Sequence, residues 1–392
     1  MEQRLIFHID VNSAYLSWAA VEKLKNGSTF DLRSVPSIIG GDMSNRHGVV
    51  LAKSIPAKAF HIITGEPVAH ALKKCPHLLL EPPDHRLYGA YSRRLMELLH
   101  TFCQNIEQVS IDECYMDVSG KPSYRQDPTA AAALIKDTVR DTLGFTVNVG
   151  ISSNKLLAKM ASDFQKPDKV HTLFPEEIPS KMWPLPVKEL FMVGRASAST
   201  LEKLEIRTIG DLAHMDLHIL ESHMKSHGRL IWEFANGIDD SPVQTEEGEL
   251  KGVGNSTTLS RDAETTAEAR KVLFSLCQQV SSRLKRSGYL AGMLSTEIRY
   301  ASFVRVSHQK QLPSVTDDAD VLYRHACLLF DELWNREPIR LLGVRTSKLA
   351  TEPEPVQMTL FDLPRTQKEI QAENAAKSLQ EKFGKSIIRK GL

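Results

Sequence analysis

A chain of 392 residues exceeds what one hydrophobic core organises, so about two to four domains are expected. With 25% charged and 42% hydrophobic residues the composition is that of an ordinary globular protein, which excludes a disordered or collagen-like chain. The net charge of +1 excludes wholesale attraction to a polyanion but leaves room for local basic patches.

The five cysteines (Cys75, Cys103, Cys114, Cys277, Cys327) are odd in number and never spaced C-x-x-C. That argues against a disulfide framework or a zinc ribbon and for a reducing compartment. MEQRLIFHID lacks the apolar core of a signal peptide, and no run approaches the roughly eighteen apolar residues of a membrane span. A soluble, cytoplasmic protein is expected.

In chain order, Leu5 to Ile9 reads as a buried strand that ends at Asp10. From Ala14 the period changes, with Ala14, Trp18, Val21 and Leu24 on one helical face. Pro36 to Gly41 reads as a strand entering a glycine turn, and Gly48 to Leu51 as another strand. Pro82 to Arg86 reads as a loop and Leu87 to Phe102 as a helix. The stretch VSIDECYMDVS, Val109 to Ser119, reads as two short strands around a bend at Asp112 and Glu113. An alanine-rich helix (Thr129 to Leu143) and a strand (Thr146 to Ile151) follow, giving a mixed pattern through about Lys166.

Pro175 to Ile238 is helical in character, and the polar stretch Asp239 to Gly254 reads as a linker. Thr257 to Lys348 mixes helices, such as Ala267 to Arg286, with alternating strands, such as Leu294 to Tyr300. The region 251–350 holds 15 Lys and Arg against 10 Asp and Glu, a local net charge of +5. Arg299, Arg305 and Lys310 lie in or beyond that strand, where one face can track a phosphate backbone. The proline-rich end of the chain, TEPEPVQMTLFDLPRTQ, reads as a flexible tail.

Adjacent carboxylates at 112 and 113 repel each other, and burying them demands positive charge. If Asp10 reaches the same sheet edge, three hard oxygen donors suit Mg²⁺. Two such ions can activate an attacking oxygen and stabilise a leaving one. The alternative is a solvent-exposed acidic hairpin.

Three blocks decide between them: FHIDVNSAY (Phe7 to Tyr15), SIDECYMDV (Ser110 to Val118) and VGISSNKLLAKMASDFQKP (Val149 to Pro167). In order and spacing they resemble the Y-family of DNA polymerases, the translesion enzymes, and most closely the bacterial DNA polymerase IV type. The resemblance implies an α+β, multidomain, right-hand polymerase. Its expected parts are a palm (1–12 and 84–173), small fingers (13–83), a helical thumb with a helix-hairpin-helix (174–240) and a linker (241–251). A little finger (252–350) and a flexible C-terminal tail (351–392) complete it.

The resemblance further implies an error-prone, template-directed polymerase for translesion synthesis and DNA repair. It would act on primer-template DNA and dNTP as a monomer in the cytoplasm. Two Mg²⁺ ions would be held by Asp10, Asp112 and Glu113 with the Val11 carbonyl, these acids being the catalytic residues. Many relatives carry a second aspartate where this chain has Asn12. Tyr15 falls at the steric-gate position, under the sugar, where it would exclude ribonucleotides.

Lys166 and Lys58 match triphosphate-binding positions. Lys58 replaces a common arginine, losing its planar fork, and Ile55 stands where many relatives have a tyrosine. Lys53 could compensate. Lys155 and Lys159 either touch nucleic acid or form the wet face of a helix.

LFMVGRASASTLEKLEIRTIGDLA (Leu190 to Ala213) looks like the helix-hairpin-helix, with Gly194 in the turn that offers N–H groups to a DNA phosphate. A plain helical hairpin is the alternative. QMTLFD resembles the peptide by which bacterial polymerases dock on the sliding clamp, the β subunit of the replicative polymerase. Leu360 and Phe361 would fill an apolar pocket and Gln357 a hydrogen bond. Two rival readings are a weak DNA-and-clamp-binding regulator and a palm-fold nucleotidyl transferase acting without a template.

Overall fold

The computed structural model describes residues 4–42, 46, 48–246 and 248–352. Gln357, Leu360 and Phe361 lie outside them. The chain divides into two compact units, at Gly248 and Glu249.

The first unit opens with β1 (Ile6–Val11) and α1 (Ala14–Lys25). A small sheet follows, of β2 (Ser37–Gly40), β3 (Val50–Lys53) and, after α2 (Ile55–Lys58) and α3 (Val68–Lys74), β4 (Leu79–Glu81). Strand β2 is its centre, antiparallel to β3 and parallel to β4, over a core that includes Ile38, Val50, Ile62 and Val68. Helix α4 (His85–Phe102) starts within the expected loop because the Asp84 carboxylate caps Arg86 and Leu87 N–H at 3.0 Å each.

Next come β5 (Ile106–Gln108), β6 (Glu113–Asp117), α5 (Pro122–Gln126), α6 (Pro128–Leu143), β7 (Val147–Ser152), α7 (Lys155–Asp163) and β8 (Val170–Thr172). The main sheet has the order β5-β6-β1-β7-β8, with β1 antiparallel to both neighbours. Both faces of β1 are covered, so its run IFHIDV is wholly buried. Phe7, Ile9 and Val11 join the core beneath α1, α4 and α6. Ile6, His8 and Asp10 take the opposite face, on which α7 lies. The two strands expected in Val109–Val118 are displaced. Val109 and Ile111 fall outside both β5 and β6, and Val109 is half exposed, because Val109 and Ser110 form the turn that returns the chain to Glu113.

Gly150 decides how closely α7 lies on the sheet. A Cβ there would collide with the Ala158 carbonyl oxygen and stand 2.5 Å from Ser162 N. The helix therefore rests on bare backbone at that point. Its far side, with Leu156, Leu157 and Met160, joins the core of α8 (Arg195–Lys203), α9 (Ile209–His214), α10 (Leu217–Met224) and α11 (Ser226–Ala235).

The stretch read as a linker is irregular, but its first part is fastened to the first unit. Asp239 accepts from Leu156 N at 3.0 Å, Arg4 donates to Ser241 O at 2.9 Å, and Gln244 N donates to Glu107 at 2.8 Å. Val243 packs against a cluster of Ile6, Tyr115 and Ala158.

The second unit contains β9 (Gly252–Ala263), α12 (Thr266–Ser287), β10 (Leu290–Tyr300), β11 (Arg305–Thr316), α13 (Ala319–Leu333) and β12 (Ile339–Ala350). Its strands form an antiparallel sheet of order β11-β10-β12-β9, with α12 and α13 packed together on one face. Leu294, Thr296, Ile298 and Tyr300 point to the helices and are buried. Among the described residues no helix is long and apolar enough to cross a membrane.

Gly150→Ala should force α7 away from β7 and destabilise the full-length protein by about 1–3 kcal/mol, the usual cost of overpacking. Denaturant unfolding followed by circular dichroism checks this; an unchanged midpoint would mean that the helix has room to shift.

Candidate active site

Strand pairing alone assembles the acids. In the β1–β6 register Asp10 stands opposite Glu113, and Val11 N–H donates to the Asp112 carbonyl at 3.0 Å. Residues distant in the chain thereby meet at one end of two neighbouring inner strands. Asp10 is 9% exposed. The Asp112 carboxyl is pushed up from its ordinary pKa by burial and by the charges of Asp10 and Glu113, although the Ser110 hydroxyl donates to it at 2.7 Å. Three carboxylates thus feel one another.

Lysines supply the countercharge. Lys166 Nζ donates to Asp10, and lies 2.8 Å from Asp163. Lys159 Nζ donates to Glu113 Oε2 at 2.8 Å, with its side chain only 15% exposed. Burial opposes the charge of both lysines. Asp10 and Asp163 outweigh it at Lys166, and Glu113, Asp10 and Asp163 at Lys159, so both pKa values are raised. Among the described residues no group of three or more His, Cys, Asp and Glu side chains is drawn together tightly enough to hold a metal ion. The oxygen donor set nonetheless suits a hard divalent cation.

His8 escapes the sequence reading, which takes Lys159 as touching nucleic acid or forming a wet helix face, not as a partner of Glu113. Lys159 is not on a wet face; the Gly150 contact brings it down onto Glu113. Lys155 is a different case, gripped by Glu107 at 2.7 and 2.8 Å and set over the Tyr115 ring. The fully buried His8 is two residues before Asp10, so it shares that face of β1. Its Nδ1 is 2.8 Å from the Ser162 hydroxyl and its Nε2 3.4 Å from Glu113 Oε2. Period-2 counting back from Asp10 would have found it. Burial lowers the His8 pKa, against the pull of Glu113 and Asp10. His8 and Lys159 hold Glu113 down to about 2.

A cleft of about 330 Å³ opens beside the acids, and its lining includes Val11, Tyr15, Lys53, Lys58, Asp112 and Lys166. Tyr15 stacks on Tyr88 with ring centroids 4.3 Å apart, which fixes the ring at the cleft wall. Trp18 is core, as expected. Lys58 is exposed at the end of α2, which Ser54 caps. Lys53 commits a proton to the Ile62 carbonyl at 2.6 Å, and its pKa is lowered by burial and by Lys58. Ile55 is half exposed.

Elsewhere in the first unit, Gly194 caps α8 with open space around its Cα. The element before it is a single 3-10 turn, Val187–Glu189, rather than a full helix.

In the second unit, Arg299 and Arg305 face each other across β10 and β11 on the open side of the sheet. Arg305 pairs with Glu297 at 2.5 Å. Lys310 is opposite Leu294, on the helix side, so it does not share their face. Arg345 does, beside Gly254.

Comparison with known proteins places this arrangement. The sequence profile of the impB/mucB/samB family matches residues 9–163, and that of the family's C-terminal domain matches residues 250–360. The DNA polymerase IV of Clostridium acetobutylicum is 46% identical over 99% of this chain and 98% of its own length. The DNA polymerase IV 1 of Bacillus subtilis is 36% identical over 100% of this chain and 93% of its own. Among solved structures, a Y-family DNA polymerase chimera of Dbh and Dpo4 superposes with a TM-score of 0.77 at 22% identity, covering 89% of this chain and all of that one. The fold is therefore the Y-family polymerase fold, with palm, fingers, thumb and little finger. The chain belongs to the Y-family of DNA polymerases, in its DNA polymerase IV group, and is a DNA-directed DNA polymerase.

Glu113 gives a pH signature. Its folded pKa, about 2, is below the ordinary 4.5, so its ion pairs stabilise the protein above pH 4.5 and are lost as pH falls toward 2. Glu113→Gln should cost on the order of 2 kcal/mol at neutral pH, a deficit that shrinks across that window. Denaturant unfolding of both proteins from pH 7 to pH 2 tests it; a pH-independent difference refutes the pairing.

Proposed function

We propose that this polymerase carries out two-metal nucleotidyl transfer at the cleft beside Asp10, Asp112 and Glu113. The observation that carries the proposal is the cross-strand placement of Asp10 against Glu113 with Asp112 beside them, desolvated and balanced by lysine. These three carboxylates, with the Val11 carbonyl, would hold two Mg²⁺ ions. When bound, the ions lower the cost of ionising the primer 3′-hydroxyl and neutralise charge on the triphosphate.

The protein's own groups do the rest. Lys166 and Lys58 both line the cleft and bind the triphosphate of the dNTP whose α-phosphorus is attacked. Lys58 does so as a point charge without an arginine fork. Tyr15, braced by Tyr88, presents a ring that a 2′-hydroxyl would strike. Lys159 holds one oxygen of Glu113, with His8 Nε2 3.4 Å from that same oxygen, and leaves the other for a cation.

The palm comprises residues 1–12 and 84–173, the fingers 13–83, the thumb 174–240 and the little finger 252–350, with 241–251 connecting the last two. The turn at Gly194 and the open sheet face bearing Arg299, Arg305 and Arg345 hold the duplex by its phosphates, without reading sequence. The family resemblance supports low-fidelity translesion synthesis in DNA repair, by a monomer in the cytoplasm. Gln357, Leu360 and Phe361 dock on the sliding clamp, which raises the local concentration of the enzyme at the primer end.

Primer extension with Mg²⁺ tests the chemistry. Asp112→Ala should lower templated extension by about 1000-fold or more while leaving DNA affinity intact, and Tyr15→Ala should admit ribonucleotides at least about tenfold more readily. Extension that survives Asp112→Ala would remove the acids from the reaction, and unchanged sugar selection would remove Tyr15 from the gate.

Clamp docking is tested by Leu360→Ala with Phe361→Ala. Extension without the clamp should be unaltered and clamp stimulation abolished; retained stimulation would locate the docking segment elsewhere.

A further inference from the structure

One buried amide on β7 spends three of its four hydrogen bonds on a single turn. Asn148 stands opposite Asp10 in the β1–β7 register, so Glu113, Asp10 and Asn148 form one row across three strands. Asn148 is fully buried. Its Nδ2 donates to the carbonyls of Ser162 at 3.0 Å and Gln165 at 2.6 Å. Its Oδ1 accepts from Lys169 N at 3.3 Å and from Asn12 Nδ2 at 3.1 Å. Asn12 Oδ1 in turn accepts from Asp168 N at 2.9 Å. Four of these bonds end on residues 162–169, and the fifth joins the two amides.

Lys166 sits inside the stretch so fastened, with bonds before it at Ser162 and Gln165 and after it at Asp168 and Lys169. We propose that Asn148, coupled to Asn12, is a positioning residue for nucleotide binding. The amide pair fixes the turn so that the long, flexible Lys166 side chain starts from one defined place. The proposal rests on the reading of Lys166 as a triphosphate ligand.

Chemistry explains why both positions are asparagine. Asn148 must donate twice and accept twice, which a carboxylate cannot do. It cannot flip its amide either, because that would turn its oxygen toward the Ser162 and Gln165 carbonyls. Asn12 must therefore be a donor toward Asn148 Oδ1 and an acceptor toward Asp168 N–H. An aspartate at position 12 would oppose oxygen to oxygen across 3.1 Å. The resemblance had marked Asn12 as a departure from many relatives, and Asn148 is the partner that makes asparagine fit there.

Single-turnover insertion on primer-template DNA, with the full-length chain, tests the proposal. Asn148→Ala should weaken the apparent dNTP Kd by about tenfold, change the insertion rate less than about threefold and leave DNA affinity unchanged. Asn12→Asp should weaken dNTP binding about threefold to fivefold. Lys166→Met should weaken it too, and adding Asn148→Ala to Lys166→Met should bring no further loss, because one residue acts through the other.

Losses that multiply in the double variant would overturn the proposal, as would full dNTP affinity in Asn148→Ala. Full affinity in Lys166→Met would instead dismiss Lys166 as a ligand, and the proposal with it. If circular dichroism shows that Asn148→Ala does not fold, Asn148→Ser and Asn12→Asp take its place in the same cycle.

Discussion

Three carboxylates at one end of a sheet, partly out of water, cannot all stay ionised without nearby positive charge. In this protein Lys159 and Lys166 provide it, each reaching from the α7 side onto an acid that strand pairing has put in place. Burial, with the charges of Asp10 and Glu113, still pushes the Asp112 pKa up. An arrangement of this kind is costly as structure, because the negative potential that penalises three bare carboxylates is relieved only by positive charge.

Close backbone packing delivers that countercharge. Without a Cβ at Gly150, α7 settles on β7, and one helical turn carries Lys159 to Glu113 while Ser162 meets His8. The turn after α7 is then tied down by Asn148 and Asn12. Charge, helix seating and amide bonding are therefore one construction. A shift of the helix would move both lysines together.

The second unit solves a different problem with the same two-residue period. One face of its sheet is apolar and covered by α12 and α13, while the other is left open with Ser295, Arg299, Arg305, Ser307 and Arg345. Gly252, Gly254 and Gly343 add no side chain to that face along β9 and β12. Such a surface suits a phosphate backbone, whose charge is regular and whose sequence it need not read. Parity alone moves Lys310 to the opposite side, although it follows the arginines closely in the chain.

The sequence by itself determined the elements with strong periodicity, such as α12 and β10, and it marked the acids as candidates, because a carboxylate near the end of a buried strand and an adjacent D-E pair are local features. It also carried the three blocks by which the family is recognised. It placed the β5–β6 strands badly, since Val109 and Ile111 look apolar yet serve a turn whose shape depends on the Glu113 carbonyl. The roles of Lys159, His8 and Asn148 were invisible to it. Each acts on a residue 14 to more than 100 positions away, across a strand register or a helix-on-sheet contact. Only the tertiary structure decides such contacts, because they depend on the distance between elements, and one missing Cβ at Gly150 sets that distance.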